Sequence, residues 1–280
     1  MSLSFDADDA ADVPIRDAST VMLVRDGRAG LEVFMLRRNL NSDFVGGAYV
    51  FPGGAVDPGD SADRIDVLSE GRSDAKVSPL LGVASGGLAY WVAAIRESFE
   101  EAGFLLAYDR SGEIVALDDS VHSERFKEHR RAVDHGALGL VELCDREELR
   151  LAVDRMQYFS RWITPLGAPR RYDTRFFVAE APAGQTPVHD ERETIANLWI
   201  RPVEALERHE AGEFELIFPT MRSLEALDRF DTAASVVDHA AAVERVEPVL
   251  PTIRESDDGL RIVLPGDVQF DAATNRRIDD

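Results

Sequence analysis

Three carboxylates, Glu97, Glu100 and Glu101, stand at i, i+3 and i+4 in the run Arg96-Glu97-Ser98-Phe99-Glu100-Glu101-Ala102-Gly103-Phe104. On a helix this spacing puts them on one face, about one turn apart. Like charges so placed repel one another and weaken the helix. A hard divalent cation such as Mg²⁺ would neutralise them, because it takes oxygen ligands and bridges carboxylates to phosphates. Upstream, Gly53-Gly54 marks a turn where backbone can approach a ligand closely. An acid-bearing helix beside a glycine turn suits hydrolysis of a phosphoanhydride: metal neutralises the diphosphate, polarises phosphorus and orients or deprotonates water. The plain alternative for the acidic run taken alone is a solvated helix face.

Such a site needs a strand, a turn and a helix to hold it. The helix reads from 88 to 102, with Ala89, Val92, Ala93, Ile95 and Phe99 as its apolar face and Gly103 as the stop. Ahead of it, 19–25 reads as a strand and 31–38 as its hairpin partner. A short strand over 48–51 is broken by Pro52-Gly53-Gly54. Residues 55–88 have loop chemistry with one short helix near 62–68. Beyond the helix, 104–117 reads as strand and turn. Ser120 is placed to cap a helix to about Val133, and a second helix covers 146–155. Strands follow at 159–164, 172–179 and 194–201, then helices over 202–209, 220–230 and 233–245, and a β tail near 260–264. This makes one domain over 18–230, an acidic arm at 1–17, and a C-terminal helix and tail at 231–280 packed on the same domain.

Composition narrows the function classes. The net charge is −21, from 52 acids against 31 bases, which disfavours nucleic acid polymers and anionic membranes as partners. No apolar run approaches the length of a membrane span, and the acidic N-terminus is unlike a secretory signal. Cytoplasmic residence is the expectation, and the lone Cys144 fits a reducing compartment. Its acidic neighbours make it an inert packed thiol rather than a nucleophile. Trp91, Trp162 and Trp199 read as core, and His122, His129 and His135 as parts of a solvated helix. His189 is a weak acid–base candidate in its loop.

The glycine turn and the acidic run together resemble the box of the Nudix hydrolase superfamily. Gly54 opens the box and Arg96 to Phe104 closes it. Asp60 stands where the first Glu is usual, Ser98 replaces an apolar residue, and residues 61–95 lie where the box has seven. A box split at this point is similar to that of the peroxisomal-type coenzyme A diphosphatase branch. So are the run from Asp43 to Gly54, Trp162-Ile163-Thr164-Pro165, the run from Arg171 to Phe177, and Glu191-Arg192-Glu193-Thr194. The resemblance implies an α/β/α sandwich with a mixed sheet, enlarged by the insertion at 61–88 and by C-terminal helices. It implies Mg²⁺ or Mn²⁺ held by Glu97, Glu100 and Glu101 with Gly54, with Arg96 orienting the acids and Glu193 as a late metal ligand or base. Gly53 and Gly54 then shape the diphosphate cradle, and Arg38, Arg171 and Arg175 are the arginines available to phosphate, by charge rather than by family pattern. The implied reaction is cleavage of a diphosphate in a small molecule, coenzyme A or an acyl-CoA, to adenosine 3′,5′-bisphosphate and (acyl-)4′-phosphopantetheine. Nudix hydrolysis of ADP-ribose, dinucleotides or nucleotide sugars is the near alternative, and a non-catalytic Nudix-fold binding module the distant one. A homodimer is left open.

Overall fold

Val21, Met22, Leu23 and Val24 are consecutive apolar residues, which a strand can bury only if both faces of its sheet are covered. The computed structural model shows that arrangement. It describes residues 13–39, 46–61, 63–118, 122–187, 194–256, 259–266, 268–271 and 277–278. The first strand, β1 (Ile15–Gly27), outruns the stretch expected at both ends and turns into β2 (Gly30–Arg38), pairing antiparallel from Val24↔Val33 to Gly27↔Gly30. Two short strands follow, β3 (Tyr49–Val50) and β4 (Gly53–Ala55). β4 pairs with the N-terminal half of β1, Ser19 opposite Gly54, so the glycine turn is built into the sheet.

The insertion carries two helices, α1 (Ile65–Leu68) and α2 (Asp74–Leu81), where the sequence shows one. α2 is masked in the sequence by Pro79, which ends helices more often than it sits in them. The acidic helix is α3 (Leu88–Ala102), stopped by Gly103 at φ 76°. After β5 (Ala107–Tyr108) come α4 (Ser123–Asp134) and α5 (Leu140–Glu147). The helix expected over 146–155 is not there. Glu148 turns left-handed at φ 56° and ends α5, and Arg150 and Leu151 form β6 (Arg150–Leu151) against β5. A long-range pairing has overridden local helix propensity.

The rest of the main sheet is β7 (Gln157–Ile163), β8 (Arg171–Glu180) and β9 (Thr194–Ile200). Three helices follow, α6 (Pro202–Glu210), α7 (Phe218–Leu227) and α8 (Ala233–Ala241). The tail runs through β10 (Pro248–Val249) into a separate sheet of β11 (Thr252–Ser256), β12 (Gly259–Val263), β13 (Gln269–Asp271) and β14 (Arg277–Ile278). The main sheet has the order β10-β7-β8-β1-β2-β3, with β4 beside β1 and β9 beside β2. β1 lies parallel to β8 and β10 to β7, while the other pairs are antiparallel, so the sheet is mixed.

Alternation along the strands makes two cores. Val21, Leu23, Phe34, Leu36, Phe177 and Ala179 face α3 and the insertion. Met22, Val24, Val33, Met35, Phe176 and Val178 face α7, α8 and the tail sheet. The result is the expected α/β/α sandwich. The insertion is tied down rather than loose. Glu70 N–H donates to Leu151 O at 2.9 Å, and Arg72 donates to Val153 O at 3.0 Å and Met156 O at 3.2 Å. It also caps α3. Gly86 N–H and Leu88 N–H each donate to the Asp74 carboxylate at 3.0 Å, and Gly87 N–H donates to Ser78 Oγ at 2.9 Å. Burial works to raise the Asp74 pKa, yet these donors hold it below the usual value. The insertion thus fixes the start of the helix whose last turn carries the acids.

Candidate active site

Arg96 is the centre of the site. Its side chain is 11% exposed and its guanidinium meets four partners. Nε and Nη2 donate to the two oxygens of Asp60 at 2.9 and 3.0 Å, Nη2 also to Ala55 O at 2.8 Å. Nη1 donates to Glu97 at 2.8 Å and Glu100 at 3.0 Å. Asp60, 2% exposed, accepts a third bond from Asp57 N–H at 2.8 Å. The residue most out of pattern in the sequence is therefore fully engaged. Its short side chain reaches Arg96 because residues 58–61 form a 3₁₀ turn that brings it inward. Asp57, which no sequence pattern singles out, adds a carboxylate 3.8 Å from Arg96 Nη2.

The glycine turn closes on this cluster. Gly53 N–H donates to Glu101 Oε2 at 3.0 Å. A methyl group on Gly53 would stand 2.5 Å from Ser19 O, and one on Gly54 would stand 2.6 Å from Glu97 Cδ. Only glycine lets β4 pass between β1 and the acids.

Burial sets the electrostatics. It raises the pKa of Glu97 against the pull of the Arg96 guanidinium. It lifts Glu100 to about 7, helped by the charge of Glu97 and opposed by Arg96. For Arg96, burial alone would lower the pKa, but the hydrogen bonds to Asp60 and the charges of Glu97, Asp60 and Glu100 outweigh it and the group stays cationic. One guanidinium serves four nearby carboxylates, so the cluster carries uncompensated negative charge.

Among the described residues no three acidic, histidine or cysteine side chains converge as a ready-made ligand set, since Glu97 and Glu100 are turned onto Arg96. The donor chemistry nevertheless fits a hard divalent cation. The donors are carboxylate oxygens, the ligand type such a cation takes, and a bound cation would favour the charged form of Glu97 and Glu100 that burial disfavours.

A cavity of about 230 Å³ opens from Gly53 and Glu101 onto the opposite face of the sheet. Thr20, Tyr172, Thr174 and Phe176 floor it, Arg38 lines it, and none of its described lining residues comes from 61–88. The insertion lies away from the cleft. Arg38 follows a register shift between Arg37 and Arg38 in the β2–β9 pairing, an irregularity of the kind that re-aims a side chain.

Arg171 and Arg175 do not reach this cavity. They lie on the other face of β8 from Tyr172, Thr174 and Phe176. Arg175 is 2% exposed, pairs with Asp173 at 3.1 Å and Asp17 at 3.2 Å, and lies 4.3 Å over the Tyr90 ring. Arg171 Nε donates to Thr164 O at 3.2 Å and lines a separate hollow with Arg16 and Arg170. Charge makes these arginines candidates for phosphate, but the structure sets both on the face of β8 away from this cavity, where Arg175 pairs with acids through Nη1 while its buried Nε has no hydrogen-bond partner among the described residues. Glu193 and His189 lie outside the described residues. Cys144 is buried, and burial with Asp145 nearby pushes its thiol up to about 12, which makes it inert.

Residues 80–227 match the family described as the NUDT19 Nudix domain. The acyl-coenzyme A diphosphatase NUDT19 of Gallus gallus is 31% identical over 278 residues, covering 86% of this chain and 73% of that protein. The Homo sapiens protein of the same name is 29% identical over 276 residues, covering 85% and 72%. Among solved structures, a NUDIX hydrolase from Alicyclobacillus acidocaldarius matches with a TM-score of 0.65 at 26% identity, over 81% of this chain and 97% of that one.

Proposed function

The chain belongs to the Nudix hydrolases, in the branch of the NUDT19 Nudix domain, and on that footing we propose that it cleaves the diphosphate of coenzyme A or an acyl-CoA. The products are adenosine 3′,5′-bisphosphate and (acyl-)4′-phosphopantetheine: water adds to one phosphorus and the bridging oxygen leaves with the other. The observation that carries this reading is the closure of the divided box. Gly54 and Asp60 on one side and Arg96, Glu97 and Glu100 on the other meet in one cluster despite the inserted helices.

Glu97, Glu100 and Glu101 hold Mg²⁺ or Mn²⁺ in this proposal, with the Gly54 backbone beside them. When bound, such a cation neutralises the diphosphate and generates the attacking nucleophile from water. Arg96 acts through its neighbours: it fixes two carboxylates while Asp60 fixes Arg96. Glu101 accepts the Gly53 amide and so ties the glycine turn to the acid-bearing helix. Glu193 is the candidate base. The single buried Cys144 agrees with the reducing environment of the cytoplasm.

A substrate panel with Mg²⁺ and Mn²⁺ tests the reading. Coenzyme A and acyl-CoA are expected to turn over with release of adenosine 3′,5′-bisphosphate, and Glu100→Gln and Glu101→Gln to lose most of that rate. Turnover of ADP-ribose with coenzyme A untouched would move the enzyme to another Nudix substrate. A parent inactive on every diphosphate would make it a binding module.

A further inference from the structure

The cavity beside the acids has walls that the family match does not cover. The match ends at residue 227, yet Pro251, Ile253 and Ile262 of the tail line the cavity opposite the sheet. Ile253 and Ile262 are cross-strand partners in the β11–β12 hairpin. The hairpin is anchored at two points. Val249 pairs with Trp162 of β7, and the Phe270 ring packs edge-on against Phe218 at 5.0 Å. The tail is thus a structural wall of the cleft rather than an appendage.

The lining chemistry selects one half of a coenzyme A-like substrate. Among the described lining residues only Arg38 and Glu101 are charged, and the remainder is mostly aliphatic or aromatic. A 3′-phosphate would find little compensation there. Four threonines (Thr20, Thr164, Thr174 and Thr220) are among the residues of this apolar surround, with Thr164 Oγ1 accepting from Tyr172 N–H at 3.1 Å. Sparse hydrogen-bonding groups in an apolar pocket suit a neutral chain with isolated amides, and a pantetheine arm is such a chain. The arginine-lined hollow with Arg16, Arg170 and Arg171 lies separately, with Tyr172 common to both linings.

We propose that this cavity takes the neutral pantetheine arm of the substrate, with the β11–β12 hairpin of the tail as its far wall. The inference rests on the coenzyme A reading above and adds the orientation: diphosphate at Gly53 and Glu101, pantetheine toward Ile253 and Ile262, adenosine half outside the cavity. It also makes the tail part of substrate selection.

The test is Ile253→Trp in the full-length enzyme, which fills the far end. Inhibition of coenzyme A hydrolysis by 4′-phosphopantetheine and by adenosine 3′,5′-bisphosphate is measured separately, with the KM for coenzyme A. Expected is a loss of about tenfold or more in 4′-phosphopantetheine binding and a parallel rise in KM, the scale on which a pocket rejects misfitting bulk. Adenosine 3′,5′-bisphosphate should inhibit as before, which also reports that the variant is folded. If Ile253→Trp fails to fold, Ile253→Ala replaces it, with a weaker loss in the same product alone. Weakened adenosine 3′,5′-bisphosphate with unchanged 4′-phosphopantetheine overturns the orientation, and no change in either overturns the role of the tail. A parent that turns over no coenzyme A instead removes the substrate reading, which the parent assay shows before any variant is made.

Discussion

Replacing Asp60 with Ala removes the group that fixes Arg96. Asp60 is 2% exposed and accepts three hydrogen bonds, two from Arg96 at 2.9 and 3.0 Å and one from Asp57 N–H at 2.8 Å. Two of these are charge-assisted and lie side by side, the stronger class of hydrogen bond. Breaking one side of a buried pair costs about 3–5 kcal/mol, because the partner is left buried and uncompensated. Glu97 and Glu100 still touch Arg96 Nη1, which places the expected loss at the lower end, about 3 kcal/mol. At roughly 2 °C per kcal/mol for a chain of this size, the melting midpoint should fall by about 6 °C. The acids should then lose their geometry, and a misplacement on the order of 1 Å costs about 100-fold in rate. Thermal melting, denaturant titration and coenzyme A hydrolysis read the three quantities. Asp60→Asn keeps the shape and a carbonyl acceptor and should recover part of the stability. Asp60→Glu restores the residue usual in the box but forces a methylene into a filled site, which costs about 1–3 kcal/mol, so it should not improve on the parent. An Asp60→Ala protein that melts and turns over like the parent would falsify the assignment of Asp60 as the support of Arg96.

Three further outcomes follow from the geometry. Gly54→Ala drives a methyl into the Glu97 carboxylate, which Arg96 holds in place, so activity should fall by about 100-fold or more and the melting midpoint should fall with it; unchanged activity would refute the cradle. Arg175→Met should cost little stability, about 1 kcal/mol, because Asp173 keeps Arg161 at 2.9 and 2.7 Å and the Asp17 side chain is exposed, with KM unchanged; a rise in KM would return Arg175 to the substrate site. Burial lifts Glu100 from 4.5 to about 7, so the folded state binds this proton more tightly than the unfolded one. The contribution is neutral below about pH 4.5 and becomes increasingly destabilising as pH rises to about 7, reaching ~3 kcal/mol at 1.36 kcal/mol per pH unit. Melting of the metal-free protein should show that decline, Glu100→Gln should flatten it, and added Mn²⁺ should oppose it most at the high end. A stability that rises across the same range in the parent but not in Glu100→Gln would refute the sign.

Much of the site could be read from local pattern. Helix periodicity and Gly103 set the bounds of α3, and its i, i+3, i+4 acids had to share a face. The alternation of β1, β2 and β8 set which residues face each core. Local pattern failed where distant partners decided. β6 exists because β5 accepts it, and α5 ends where Glu148 turns left-handed. α2 hides behind Pro79, and its reason for being there, the capping of α3 by Asp74, spans the insertion.

The sequence by itself determined the family, the acid-bearing helix and the glycine turn, because these follow from residues close in the chain and from their chemistry. Only the tertiary structure decided that Asp60 is a full member of the cluster, 36 residues from Arg96. It decided that the cleft lies over Tyr172, Thr174 and Phe176 rather than over Arg171 and Arg175. It also decided that the tail hairpin walls the cleft and the insertion does not. The physical reason is common to all three. Burial converts a charge into an obligation to find a partner, and which partner is in reach is fixed by the packing of segments that no local pattern relates.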